Sequence, residues 1–251
     1  METVALVDGQ GLWVDRVDLN EWASEIRGCS LPLCGPSAYA AHRRCTLTPG
    51  VICLTLTPRG EIKAFKDGVQ VFAFLNGRWR LTDMDWKHKR WLQAAKVPEL
   101  AEHILQVALD MAESRRGGLF VILDDRESAC KLVATEDRID LDGRSETRRS
   151  NESKKNLFYL LRNKNVRTLS PAMLSTLAAI DGAVVLDATG AVLAFGAILR
   201  HHQEGVTSEA LRPEGGRSLA ALAASHFGRA LKISEDGIVS FYEHGRFVWD
   251  L

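Results

Sequence analysis

Residues 181–199, DGAVVLDATGAVLAFGAIL, are the most apolar stretch of the chain, and the turn formers Asp187-Ala188-Thr189-Gly190 divide it in the middle. A helix would not survive that block, so the run reads as two strands folded back on each other: Val184, Val185 and Leu186 form a buried strand, and 191–199 returns beside it. Asp181-Gly182-Ala183 therefore stands at a strand mouth. A carboxylate placed there can hold a divalent cation or accept a hydroxyl proton, and Gly182 and Ala183 leave the backbone open to a bulky ligand such as a purine nucleotide. The same three residues serve equally well as an ordinary turn, and nothing within them decides the matter.

The rest of the chain divides in two. Residues 50–82 alternate apolar and polar side chains, with Pro58-Arg59-Gly60, Lys66-Asp67-Gly68 and Asn76-Gly77 as turns, which is the pattern of a β-meander. Short strands at 4–6 and 11–14 and a brief helix at 19–26 precede it. Between them, residues 29–36 carry Pro32, Gly35 and Pro36 and cannot be regular helix. Residues 1–96 are accordingly expected to form a smaller β-rich α+β accessory domain, whose sheet either presents a surface to a ligand or partner or packs on its neighbour. Pro98 then opens a helix with Leu100, Ala101, Ile104, Leu105, Ala108, Leu109 and Ala112 along one stripe. Strands at 118–123, 230–233, 238–242 and 246–249 and helices at 156–162, 171–179 and 218–227 complete an α/β domain, residues 97–251, with a mixed sheet flanked by helices.

Charge and cysteine content set limits on function. The 32 Lys+Arg balance 32 Asp+Glu for a formal net charge of +0, so the bulk electrostatics call for neither nucleic acid nor an anionic membrane. The N-terminus has no basic region and no long apolar core, and the five cysteines form no repeating frame; a soluble, cytoplasmic protein is expected. Cys29, Cys34, His42 and Cys45 are suitable zinc donors but lack the paired Cys-x-x-Cys knuckle. Trp86 to Trp91, WKHKRW, interleaves aromatics with cations, which suits either nucleic-acid stacking or a linker helix that buries both tryptophans. Residues 137–155 are polar and read as a long exposed loop, with Arg144, Arg148, Arg149, Lys154 and Lys155 among its cations, and His201-His202 follows the second strand of the apolar run.

Taken in order, the strand Gly118-Leu119-Phe120-Val121-Ile122-Leu123, Asp181-Gly182-Ala183, Phe195-Gly196-Ala197-Ile198-Leu199, Gly215-Gly216-Arg217-Ser218-Leu219-Ala220-Ala221, Ser225 and Ser234-Glu235-Asp236-Gly237 resemble the motifs of the diadenylate cyclase domain in both order and spacing. The resemblance covers about three fifths of the chain, from Pro98 onward. It implies a nucleotidyltransferase that condenses two ATP into cyclic di-AMP, a nucleotide second messenger, with Mg²⁺ or Mn²⁺ as cofactor and two copies of the domain facing each other in a homo-oligomer. On that resemblance Asp181 is the catalytic residue and metal ligand, and Gly182, Ala183, Gly196, Gly215, Gly216, Arg217, Ser218, Ser225 and Glu235 contact the nucleotide. One departure matters. Where the family has Gly-Thr-Arg-His-Arg-Ala-Ala this chain has Gly-Gly-Arg-Ser-Leu-Ala-Ala, so only Arg217 remains of three phosphate-contacting side chains. Two glycines before a helix still present backbone amides and the positive end of a dipole to an anion. Two readings follow: a diadenylate cyclase, or a catalytically degenerate nucleotide-binding sensor or regulatory module.

Overall fold

The structure, a computed structural model, describes residues 3–26, 29–75, 77–139, 152–162, 164–200 and 215–251. It is a mixed α/β fold whose chain divides into two units, Met1–His88 and Lys89–Leu251. The division falls inside a helix, Met84–Ala95, whereas the sequence reading set it after Lys96.

The first unit is β-rich. Strands β1 (Thr3–Val7) and β2 (Trp13–Asp18) form an antiparallel hairpin, and α1 (Leu19–Glu25) follows at once. The Asp18 carboxylate makes that abrupt start possible by accepting from the amides of Asn20 and Glu21 at 2.9 and 3.0 Å. A second helix, α2 (Ala40–Cys45), lies where the sequence reading assigned no element. Its AAHRRC sequence has no apolar stripe to announce it; tertiary partners hold it instead. Cys45 packs with Leu19 and Ala23, while buried Arg43 donates from Nε to the Gly68 carbonyl at 2.9 Å and from Nη2 to that of Leu33. Strands β3 (Ile52–Leu56), β4 (Ile62–Lys66), β5 (Val69–Leu75) and β6 (Arg78–Leu81) then make the expected meander, antiparallel throughout. One of its faces is closed: Phe65 is fully buried and meets Tyr39 with ring centroids 5.4 Å apart.

Helix α3 (Met84–Ala95) carries the chain into the second unit. Of its two tryptophans only Trp91 is buried, donating from Nε1 to the Ala101 carbonyl at 2.8 Å; Trp86 stays half-exposed, which corrects the expectation that both are hidden. Next come α4 (Pro98–Glu113), β7 (Gly118–Leu123), α5 (Ala129–Leu132), α6 (Glu152–Leu161), α7 (Pro171–Ala178), β8 (Ala183–Leu186), β9 (Val192–Ala197), α8 (Gly216–Ala224), β10 (Gly228–Ile233), β11 (Val239–Glu243) and β12 (Arg246–Asp250). Helix α6 begins at Glu152, so the segment read as a loop to Lys155 ends earlier; residues 140–151, with Arg144, Arg148 and Arg149, lie outside the described residues, as do His201 and His202.

One six-stranded sheet organises this unit, in the order β12-β11-β10-β7-β8-β9. Every neighbouring pair is antiparallel except β7 and β8, whose parallel pairing obliges the chain to cross over between them, through α5, α6 and α7. Alternation along β7 assigns the two faces. Leu119, Val121 and Leu123 pack with Ala183, Val185, Ala221, Ala224 and Ala230 beneath α8. Gly118 points the other way: a methyl group there would meet Met111 of α4 at 2.8 Å and the Ala178 carbonyl of α7 at 2.9 Å. Helices therefore cover both faces, α4 and α7 on one and α8 on the other. At the end of the sheet where β7 leaves, buried Arg229 reaches Asp124 at 2.6 Å and Glu243 at 3.7 Å, and Lys96 and Arg90 complete the neutralisation of those two acids.

Candidate functional site

The opposite end of this sheet gathers most of the residues singled out in the sequence. β7 and β8 begin there, β9 and β10 finish there, and α8 starts above it. Asp181, exposed, and Gly182 lead into β8; Gly117 leads into β7; Ser234 and Glu235 follow β10. With neighbouring strands about 4.8 Å apart, the backbones at Asp181 and Glu235 are separated by β7, on the order of 10 Å.

Arg217 spans that gap from above. Its Nη1 donates to Glu235 Oε1 at 3.0 Å, and its guanidinium lies so close over Gly117 that a methyl group on that residue would stand 3.0 Å from Cζ. The guanidinium thus packs directly on Gly117, which leads into the strand beside the one that Asp181 introduces. The ion pair with Glu235 is partly solvated, the arginine side chain 35% and the glutamate 72% exposed, and contributes about 1 kcal/mol, so an incoming anion can displace the carboxylate and take the guanidinium. Gly215, at φ +90°, and Gly216 have open space around them and lead the chain into α8, whose first-turn amides face the same end.

Ser218 behaves differently from its expected role. Its side chain is buried, its Oγ accepts from Lys232 Nζ at 3.1 Å, and it bonds to the Tyr242 hydroxyl; burial pushes that phenol's pKa up, against the hydrogen bonds from Ser218 and Ser240. The hydroxyl is turned toward the sheet. Lys232, by contrast, was missed in the sequence, although a lone lysine inside the buried strand GRALKI was the available signal. Its ammonium lies beneath the first turn of α8, at Ser218.

Gly182 and Gly196 are both tightly packed within the protein. At φ +113°, Gly182 lies against β9 so tightly that a methyl group would stand 2.6 Å from Ala197 N and 2.6 Å from the Gly196 carbonyl carbon. Gly196, at φ +53°, is equally close to Ile180. Ala183 is buried in the core under α8. Ser225 stands at the C-terminal end of α8, away from Asp181, where its Oγ donates to the Leu222 carbonyl at 2.7 Å and accepts from the Gly245 amide at 3.1 Å. The structure thus brings together Asp181, Gly215, Gly216, Arg217 and Glu235, and does not bring Ser225 to them.

For a divalent cation, the donors among the described residues at this end are the exposed carboxylate of Asp181 and that of Glu235, which is engaged by Arg217. A lone free carboxylate can contribute one oxygen ligand to a hard cation that keeps most of its water, but it makes no cage of protein ligands. In the first unit, Cys29, Cys34, His42 and Cys45 do not behave as a zinc set: the Cys45 thiol faces the Leu19 carbonyl at 3.8 Å, and burial, with the nearby Cys53, pushes its pKa up to about 11. A groove of about 220 Å³, lined by Val107, Met111, Arg116, Pro171 and Ser175, lies between α4 and α7, across the sheet from α8.

No protein-family model matches the chain, and no curated protein matches it. Among solved structures, 64% of this chain superposes on 69% of a hypothetical membrane spanning protein from Bacillus cereus, at 19% identity and a TM-score of 0.46. A second superposition covers 61% of this chain and 86% of a double cysteine mutant of DacA from Staphylococcus aureus, at 20% identity and a TM-score of 0.35. Neither likeness assigns a function. Among the described residues, no helix is long and apolar enough to cross a membrane.

Proposed function

We propose that the C-terminal unit binds ATP or a related nucleotide at the Asp181 end of its sheet and, with two copies facing, condenses two ATP into cyclic di-AMP as diadenylate cyclases do. The observation that carries this reading is the seating of Arg217 over Gly117, at the start of α8 and one strand from the Asp181 approach. A guanidinium, the first-turn amides after Gly215-Gly216 and the Lys232 ammonium offer an anion site, and an exposed carboxylate stands beside it.

In the proposed reaction the phosphates displace Glu235 from Arg217 and settle on the α8 amides. Asp181 orients the 3′-hydroxyl and accepts its proton as the oxygen bonds to the α-phosphorus of the facing nucleotide; the bond to pyrophosphate breaks and Arg217 balances the charge that develops on it. Mg²⁺ or Mn²⁺ at Asp181 would supply charge neutralisation to the phosphate oxygens. Holding both nucleotides in line requires a second copy, since each site supplies only one.

A second reading, binding without turnover, is favoured by Ser218. Its hydroxyl is committed to Lys232 and Tyr242, and Leu219 stands where the family has another arginine, so stabilisation of the leaving group falls mainly on Arg217. Incubation of the purified protein with ATP and Mn²⁺ or Mg²⁺, followed by mass spectrometry, separates the readings. Cyclic di-AMP from the wild type and none from Asp181→Asn supports the enzyme. ATP at about a hundred times its Kd should raise stability by about 2.7 kcal/mol, and that gain without product supports the sensor. If neither product nor stabilisation is seen, both nucleotide readings fail.

A further inference from the structure

The four-stranded sheet of the first unit has one covered face and one bare face. Pairing register defines the bare one: Leu54, Ala64, Phe72 and Leu81 stand in one row across all four strands, and Leu56, Ile62, Phe74 and Trp79 in the next. Neither row holds a charge; the next row, with Ile52, holds one, the exposed Lys66. Phe74 and Trp79 confirm the shared face, with ring centroids 5.3 Å apart. Six large side chains on this face, Ile52, Leu54, Leu56, Phe72, Trp79 and Leu81, are between 45% and 71% exposed. Scattered apolar residues need no explanation, but two contiguous uncharged rows on a rigid sheet exceed what a monomer ordinarily leaves in water.

We propose that this face is a self-association surface, on which a second copy of the chain stacks sheet to sheet. Two arguments select a second copy. First, the six side chains expose roughly 700 Å² together, close to the ~800 Å² per partner of a standard stable interface, before Phe74 and Ile62 are added. Second, the face is self-complementary. One edge strand, β3, carries the branched aliphatics Ile52, Leu54 and Leu56; the other, β6, carries Trp79 and Leu81. A two-fold axis parallel to the strands lays β3 of each copy over β6 of its partner, so each aromatic edge meets an aliphatic edge, twice, in one isologous contact about 10 Å thick. The proposal rests on the first unit alone and stands whether or not the second unit binds nucleotide.

Sedimentation velocity of the full chain from 1 to 100 μM tests it. The wild type should sediment at twice the 27.8 kDa mass of the chain. Leu54→Lys combined with Leu81→Lys should sediment as a monomer with unchanged far-UV circular dichroism, because each lost contact counts twice across the axis and the dimer weakens by about two orders of magnitude or more. Leu56→Thr with Trp79→Thr keeps β-forming residues and should do the same, which guards against a misfolded first variant. Asp181→Asn should remain dimeric, separating this surface from the nucleotide site. A wild type that is monomeric at 100 μM, or folded variants that stay dimeric, would overturn the proposal. So would a monomeric wild type that floats with phosphatidylcholine–phosphatidylserine vesicles, which would give the face to lipid.

Discussion

Replacing Gly182 by alanine separates two explanations of the same residue. If the glycine is there to let a nucleotide approach, the variant folds normally and loses only binding. The geometry predicts otherwise. A methyl group at position 182 would stand 2.6 Å from Ala197 N, 2.6 Å from the Gly196 carbonyl carbon and 2.7 Å from Ala197 O, all backbone atoms of a paired strand that cannot turn aside like a side chain. Its φ of +113° adds strain that any L side chain meets, of about 1–3 kcal/mol. Relief of the overlap means pushing β9 outward from β8, and overpacking of that kind costs about 1–3 kcal/mol more. The sum is about 2–6 kcal/mol, or a fall in Tm of roughly 4–24 °C at about 2–4 °C per kcal/mol for a chain of this size. Urea unfolding followed by circular dichroism, with calorimetry alongside, measures it, and the loss should appear with no nucleotide present. A Gly182→Ala protein with the wild-type midpoint and reduced ATP affinity would refute the backbone explanation.

Two further predictions concern the other end of the sheet. Arg229→Ala removes a buried guanidinium from between Asp124 and Glu243 and leaves Glu243, itself buried, with Arg90 and the exposed His244 at 3.9 Å; we expect a loss of about 3–5 kcal/mol in urea unfolding, and a loss below about 1 kcal/mol would show the cluster to be dispensable. Asp124 should make the fold acid-sensitive: burial raises its carboxyl pKa, but hydrogen bonds from Lys96 and Arg229 and their charges outweigh that and hold it below the usual value of 3.8. Because the folded value is the lower one, its contribution is present above pH 3.8 and disappears as pH falls through the folded pKa; at 39% side-chain exposure the effect is screened and modest. Comparison of unfolding midpoints for wild type and Asp124→Asn between pH 2 and pH 6 should show them converging at the acid end, and a constant gap would count against the assignment.

Local chemistry and periodicity determined a good deal of this protein by themselves. The Asp187-to-Gly190 block inside an apolar run fixed a hairpin, the alternation from residue 50 fixed the meander, and the apolar stripe after Pro98 fixed α4, because each is decided by residues close together in the chain. Helix α2 was not legible: AAHRRC has no amphipathic period, and it is a helix because Arg43 and Cys45 find partners at Gly68, Leu33 and Leu19. Motif order and spacing pointed to Asp181 and Arg217, and only the sheet order, with β7 between β8 and β10, put them at one end. Sequence also could not say which glycines stand in open space and which are packed against other parts of the chain. Gly182 meets the backbone of β9, Gly196 the side chain of Ile180 and Gly117 the guanidinium of Arg217, while Gly215 and Gly216 stand in open space; that distinction depends on what the rest of the chain lays against each Cα, which is a property of packing between residues far apart in sequence.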